Sequence, residues 1–368
     1  MTNRFQNYSC GYKVVSVANS DNAKSDLINE PLDFLAIDNA SVVLMPANIV
    51  LTTDDAIISA FQEANDYDVF EIWPDGRFFR YYDNSSIENY FFVTAKCNSN
   101  CIMCPSPEAA RKNGQHTCIT DLIEIARHIP TYTAHLTITG GEPFLVGKDV
   151  FPFIGFLRDK FDSTEFLFLT NGRVFALPSY INLLKENAPN NSIFAIPVHG
   201  SFAELHDSIT RAPGSFRQTL IGIKNLLREG FRVELRIVVS KLNLHDFSKI
   251  AELVASEIPN VEYVSIIAME MTGNAHREKD KLWIPYSEVA SGISTGVMHL
   301  VQRGINVKLY NFPLCTVPAE YRALCEKSIS SEKVRFAETC EHCAMRSACG
   351  GVFAGTFKLE KDELKAIL

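Results

Sequence analysis

Apolar residues fall along this chain in two rhythms. From about residue 90 onward, "NYFFVTA", "AHLTITG", "EFLFLTN", "SIFAIPVH", "RVELRIVVS" and "VEYVSIIAM" are near-continuous apolar runs of strand length, the signature of parallel strands covered on both faces. Between them "DLIEIARHI", "FIGFLRDKF", "SYINLLKEN", "TLIGIKNLLREG" and "FSKIAELVASEI" repeat apolar residues every three or four positions, which predicts helices. This alternation implies right-handed βαβ units in an α/β fold with one parallel sheet, open or curled into a barrel. Functional residues in such folds gather at the carboxyl ends of the strands.

The flanking regions read differently. Residues 1–86 show short β-rich runs, "KVVSV", "DFLAID" and "SVVLM", then "VFEIWPDGRFFRYY", where Pro74-Asp75-Gly76 supplies turn residues between two strand-like halves. A small, mostly β module is expected there, followed by an α/β domain over residues 87–312 that ends in "INVKLYNF". Residues 313–368 hold five of the ten cysteines and little periodicity, so metal is expected to hold this segment where packing does not. The charged end, "KLEKDELKAIL", reads as a solvated terminal helix.

Composition narrows the class. Apolar content of 46% and charged content of 21%, with 25 Phe and 12 Tyr, describe an ordinary globular chain. A net charge of −8 argues against a nucleic-acid partner bound through its phosphates. No apolar run reaches spanning length and "MTNRFQNYSCGYKVV" lacks an apolar signal core, so no membrane partner and a cytoplasmic location are expected. In that reducing compartment clustered cysteines serve as metal or redox ligands more than as disulfides.

Two motifs lie at strand ends. "CNSNCIMC" follows the first run of the α/β region and places Cys97, Cys101 and Cys104 in a loop over the carboxyl ends. Three thiolates with no nearby His suit an iron-sulfur cluster with one iron left open. The bland alternative is structural zinc completed by Cys118 or a distant residue. "TITGGEP" ends the second run, where Gly140 and Gly141 permit a close backbone approach and Glu142 leaves a carboxylate at the rim. A glycine pair after a strand is often only a turn; beside the three-cysteine loop it reads as part of a site.

Together the motifs, CX3CX2C after one strand and GGEP after the next, resemble the radical SAM superfamily over roughly residues 88–310. The resemblance implies a partial (β/α)6 barrel and a 4Fe-4S cluster on Cys97, Cys101 and Cys104. The open iron would chelate S-adenosylmethionine, whose reductive cleavage yields a 5′-deoxyadenosyl radical. By the same resemblance, Gly140, Gly141, Glu142 and Pro143 hold the methionyl amino group. Asn171 in "LTNG" and Ser201 after "PVHG" approach the ribose or carboxylate, and Arg236 pairs with the carboxylate. Met269 floors the adenine, or is an ordinary core methionine. Met103 stands where the superfamily usually has an aromatic residue before the third cysteine.

A second constellation, "CEHCAMRSACGG", gives Cys340, Cys343 and Cys349 a CX2CX5C spacing that resembles the SPASM and twitch extensions of radical SAM peptide maturases. The next SPASM cysteine position is occupied by Phe353, so the resemblance implies one auxiliary 4Fe-4S cluster, with Cys315 as fourth ligand, Cys325 in reserve, and zinc on the same thiolates as the alternative. His342 is expected to be exposed. His199 and His206 in "HGSFAELHD" read as a polar loop, with a substrate-contacting or general-base role as the alternative, and Cys10 and Cys118 have no assigned role.

At the family level, "YYDNSSIENYFFVTAKCNSNCIMCP", "HGSFAELHDSITRAPGSF" and "SISSEKVRFAETCEHCAMRSACGGVFAG" resemble the radical SAM maturases of His-Xaa-Ser peptide systems, the HxsC type. That resemblance implies a ribosomal precursor peptide as substrate, a second radical SAM maturase as partner, and an electron donor such as flavodoxin or ferredoxin. Two alternatives stand beside it: a radical SAM enzyme acting on a sugar or nucleoside, and a zinc-stabilised binding protein.

Overall fold

In the computed structural model, which describes residues 4–52 and 54–368, the two rhythms become two sheets. The amino-terminal sheet contains β1 (Lys13–Ala18), β2 (Phe34–Ile37), β3 (Val42–Met45), β4 (Ile49–Thr52), β5 (Val69–Ile72) and β6 (Phe78–Tyr82), in the order β4-β3-β2-β1-β5-β6. The expected Pro-Asp-Gly hairpin joins β5 to β6 as an antiparallel pair. Two helices, Asp21–Leu27 and Asp55–Gln62, were not foreseen, although each carries its own start signal. Ser20 Oγ accepts from Ala23 N–H at 3.1 Å, and Asp54 accepts from Ala56 N–H at 3.0 Å.

The module docks on the larger domain. Val14, Val69 and Tyr82 join the core of the α/β region, and buried Ser16 Oγ lies 3.0 Å from His128 Nδ1 on the helix Ile119–His128.

The second sheet has eight parallel strands in sequential order: β7 (Tyr90–Thr94), β8 (His135–Gly140), β9 (Glu165–Leu169), β10 (Ser192–Pro197), β11 (Arg232–Val239), β12 (Tyr263–Ala268), β13 (Val307–Tyr310) and β14 (Cys325–Glu326). The six apolar runs and "INVKLYNF" supply β7 to β13. The added strand, β14, lies inside the cysteine-rich segment and pairs Cys325 with Leu309.

Strand β11 shows how the barrel is built. Val233, Leu235 and Ile237 are wholly buried in the core that the flanking helices cover, including Ser215–Arg228 and Phe247–Glu257. The intervening Glu234, Arg236 and Val238 face an interior cavity of about 920 Å³. The strands are thus apolar on the helix side and partly polar on the other, because the barrel encloses a lumen instead of a packed core.

The end of the chain differs from expectation. Only Phe357–Glu360 is helical; Glu360 and Leu364 are buried. Apolar Leu364 and Ile367 line the cysteine cleft described below, so the charged appearance of "KLEKDELKAIL" masks a packed strap.

Candidate functional site

The loop after β7 is fixed from several sides by its own backbone. Cys97 N–H donates to Arg111 O at 3.1 Å, Asn100 N–H to Thr210 O at 3.0 Å and Ile102 N–H to Ile209 O at 2.9 Å. From the end of β12, buried Asn274 gives its backbone N–H to Cys104 O at 2.9 Å and its side-chain amide to Cys101 O at 3.0 Å. From the end of β9, Arg173 donates to Asn98 O at 2.9 Å and Asn171 to Asn98 Oδ1 at 2.7 Å. Arg111, 3% exposed, donates from inside the turn to the Ser106 carbonyl and the Asn100 side chain.

This web presents three free thiols that feel one another. Burial pushes Cys97 up to about 11, reinforced by Glu142 and Cys104; burial pushes Cys101 up to about 12, reinforced by Cys104 and Cys97. Such thiols stay protonated at neutral pH until a metal supplies the opposing charge. Among the described residues, no three His, Cys, Asp or Glu side chains gather to hold a single metal ion. Three neighbouring sulfurs with no His in the loop are a donor set that fits an iron-sulfur cluster, in which each thiolate takes its own iron.

The GGEP turn locks against that loop. Gly141 N–H donates to Thr94 O at 2.7 Å, and Glu142 N–H to Lys96 O at 2.8 Å. Gly140 has φ +150°, and a Cβ there would sit 2.3 Å from Thr94 O; a Cβ on Gly141 would sit 2.2 Å from Lys96 O. The glycines therefore admit the chain's own backbone, beside Cys97, whatever else they approach.

Glu142 is not a rim carboxylate. It is 2% exposed and accepts from Thr170 Oγ1 at 2.8 Å, Asn171 N–H at 2.7 Å and Phe144 N–H at 3.2 Å. Burial pushes its carboxyl upward against these hydrogen bonds, and its role here is to tie the end of β8 to the end of β9. Pro143 is buried at the start of the 3-10 helix Pro143–Val150.

The other candidates divide. Met103 and Met269 are buried, share one cluster with Ile102 and Met271, and line the lumen. Arg236 lines it too, with Nη1 3.5 Å from Glu234 Oε1. Ser201 is committed elsewhere: its N–H and hydroxyl both donate to Asp246, at 2.7 and 2.9 Å.

His199 and His206 do not form a polar loop. They are 3% and 1% exposed, stacked with ring centroids 5.9 Å apart, and His199 N–H donates to His206 Nδ1 at 3.1 Å. Burial drives them down to about 3 and about 4, so both are neutral.

In the carboxyl-terminal segment, one cleft is lined by Cys315, Cys340, Cys343 and Cys349 together with Leu364 and Ile367. Backbone N–H groups aim at its sulfurs: Leu314 and Gly351 at Cys349 Sγ, and Ile367 at Cys343 Sγ, each at 3.4 Å. Cys325, pushed up to about 12 by burial and by the nearby Cys349, is not part of that lining. His342 is exposed, Cys118 is exposed at a helix start, and Cys10 is half-buried. Sequence reading missed Arg111, Arg173, Asn274 and Glu234. Arg173 and Asn274 act on partners 75 and 173 residues away in the chain, and no local motif marks Arg111 or Glu234.

Fold and site together define an α/β barrel with a three-thiol loop and a glycine turn over the carboxyl ends of its first two strands. Residues 91–254, which fall within this barrel, match the model of the radical SAM superfamily. Over 179 residues the chain is 31% identical to an AdoMet-dependent heme synthase of Methanosarcina barkeri, covering 46% of this chain and 47% of that protein. It is 29% identical over 182 residues to a GTP 3′,8-cyclase of Desulforamulus reducens, covering 48% and 54%. The chain thus spans about half the length of these curated relatives. SuiB of Streptococcus suis shares the fold at a TM-score of 0.50 and 14% identity, over 66% of this chain and 52% of that one. Among the described residues, no helix is long and apolar enough to cross a membrane.

Proposed function

We propose that the protein is a radical SAM peptide maturase. The observation that carries the initiation half of this reading is the loop of Cys97, Cys101 and Cys104. It offers three mutually close thiols at the carboxyl ends of the strands, with Met103 from the same loop lining the lumen. Cys97, Cys101 and Cys104 would hold a 4Fe-4S cluster, which would supply the electron for reductive cleavage of S-adenosylmethionine.

The chain's own residues do the holding. Asn274, Arg173 and the carbonyls of Ile209 and Thr210 keep the loop from shifting. Met103 and Met269 give the upper lumen an apolar, polarisable wall suited to a purine face. The barrel around them limits the water and stray hydrogen donors that would quench a radical. Replacing Cys97, Cys101 or Cys104 by Ala is expected to abolish 5′-deoxyadenosine formation under dithionite; a variant with normal turnover would overturn the assignment.

The peptide half rests on the resemblance to His-Xaa-Ser maturases and on the four-thiol cleft, read as an auxiliary 4Fe-4S site with Cys315 as fourth ligand. The names of the sequence relatives favour a second reading, in which the substrate is a small molecule such as a tetrapyrrole or nucleotide. Incubating reduced enzyme and S-adenosylmethionine with a His-Xaa-Ser repeat peptide and reading the peptide's mass separates the two. A mass change supports the maturase; an unchanged peptide alongside continued 5′-deoxyadenosine release supports the small-molecule reading.

A further inference from the structure

Deep in the lumen, on β11, lies a carboxylate that the chain itself leaves half-used. Glu234 is 1% exposed. Its Oε2 accepts from the Tyr263 hydroxyl at 3.3 Å, while its Oε1 has no hydrogen-bond partner. Arg236 Nη1 stands 3.5 Å from that oxygen as an ion pair without a hydrogen bond. A buried acceptor left without a donor is destabilising, the more so when charged, so a ligand that donates to it recovers part of that loss.

The surroundings say what kind of donor fits. Lys308 is already occupied, with Nζ 4.5 Å from the Tyr263 ring centroid and 3.6 Å from Glu326. The lumen wall also carries Glu88 and Glu270, and no ion pair engages either of them among the described residues. The rings of Tyr263 and Tyr310 line the same cavity, and aromatic faces favour a cation beside them.

We propose that Glu234 is a specificity residue. Its oxygen without a hydrogen bond accepts from a cationic N–H group on the substrate, an ammonium, guanidinium or imidazolium side chain, seated against Tyr310. This rests on the reading of the protein as a peptide-modifying enzyme and adds to it the charge class of the residue admitted to the barrel.

The test uses anaerobic holoenzyme and four labelled peptides: a His-Xaa-Ser repeat and its versions with Lys, Gln or Glu in place of His. By fluorescence anisotropy, wild type is expected to hold the Lys peptide about ten-fold or more tighter than the Glu peptide. Glu234→Gln should reduce that preference to about two-fold or less, and Glu234→Asp, which retains the charge, should keep most of it. Thermal melting of both variants separates lost recognition from lost folding. The proposal is overturned if wild type shows no preference, or if Glu234→Gln retains the wild-type preference. Failure of the peptide-modifying reading would show separately, as a wild type that binds none of the four peptides, whereas binding of all four without a charge preference overturns the proposal alone.

Discussion

Glu360 shows how much a single residue contributes that the sequence conceals. It looks like one more charge in "KLEKDEL", yet its side chain is wholly buried and both carboxyl oxygens receive the backbone N–H of Tyr286, at 3.1 and 3.3 Å. It thereby closes the amino end of the helix Tyr286–Gln302. Burial, with Glu363 adding to it, pushes its carboxyl from 4.5 up to about 7. A carboxyl raised in the folded state binds its proton more tightly folded than unfolded. Its contribution to folding stability is therefore fully present below about pH 4.5 and is lost as pH rises through about 7. Glu360→Gln retains an acceptor for Tyr286 and removes this ionisation cost. The variant should melt a few degrees above wild type at pH 8, an effect on the order of 2 kcal/mol, with the gap narrowing toward pH 5.5. A gap independent of pH would mean that Glu360 does not titrate in this range.

At the scale of elements, what was legible in the sequence is what is local in the chain. The β-runs from "NYFFVTA" to "INVKLYNF" became β7 to β13 because continuous apolar strands have few other places to go. CX3CX2C and GGEP could be placed because each sits within a few residues of a strand end. The clamp between them was not legible, because it joins Lys96 to Glu142, Asn171 to Asn98 and Asn274 to Cys101 across turns far apart in sequence. Nor was the polar lumen face of β11, since "RVELRIVVS" reads as apolar until alternate residues are assigned to opposite faces. The clamp determines what Gly141→Val should do. Its Cβ would meet Lys96 O, one residue before Cys97, so the substitution strains the cysteine loop as well as any ligand contact. Iron content after reconstitution is expected to fall by about half or more, together with S-adenosylmethionine affinity. Full iron with weakened affinity would instead show that the turn acts only on the ligand.

Over the whole molecule, the chain wraps its barrel from both ends. The amino-terminal sheet packs on the helix Ile119–His128, while the carboxyl-terminal segment adds β14 to the barrel edge and then runs its last residues across the cysteine cleft. Thr356 Oγ1, wholly buried, accepts from Met271 N–H at 3.0 Å, and Met271 belongs to the cluster that contains Met103 and Met269. Phe353 of the same segment lines the lumen. The four-thiol cleft is therefore mechanically joined to the lumen wall while its sulfurs remain distinct from those of the loop after β7. Because the sites are distinct, replacing Cys340 and Cys343 together by Ala should remove about half of the bound iron, if each site holds a 4Fe-4S cluster. Because they are joined, it should also loosen the Phe353 and Met271 side of the lumen. Some 5′-deoxyadenosine should still form, since Cys97, Cys101 and Cys104 are intact, but peptide modification should be lost as the substrate wall gives way. Retention of peptide modification in that variant would reduce the cleft to a clip on the chain end. One equivalent of zinc in place of the second share of iron would identify it as a four-thiolate zinc site.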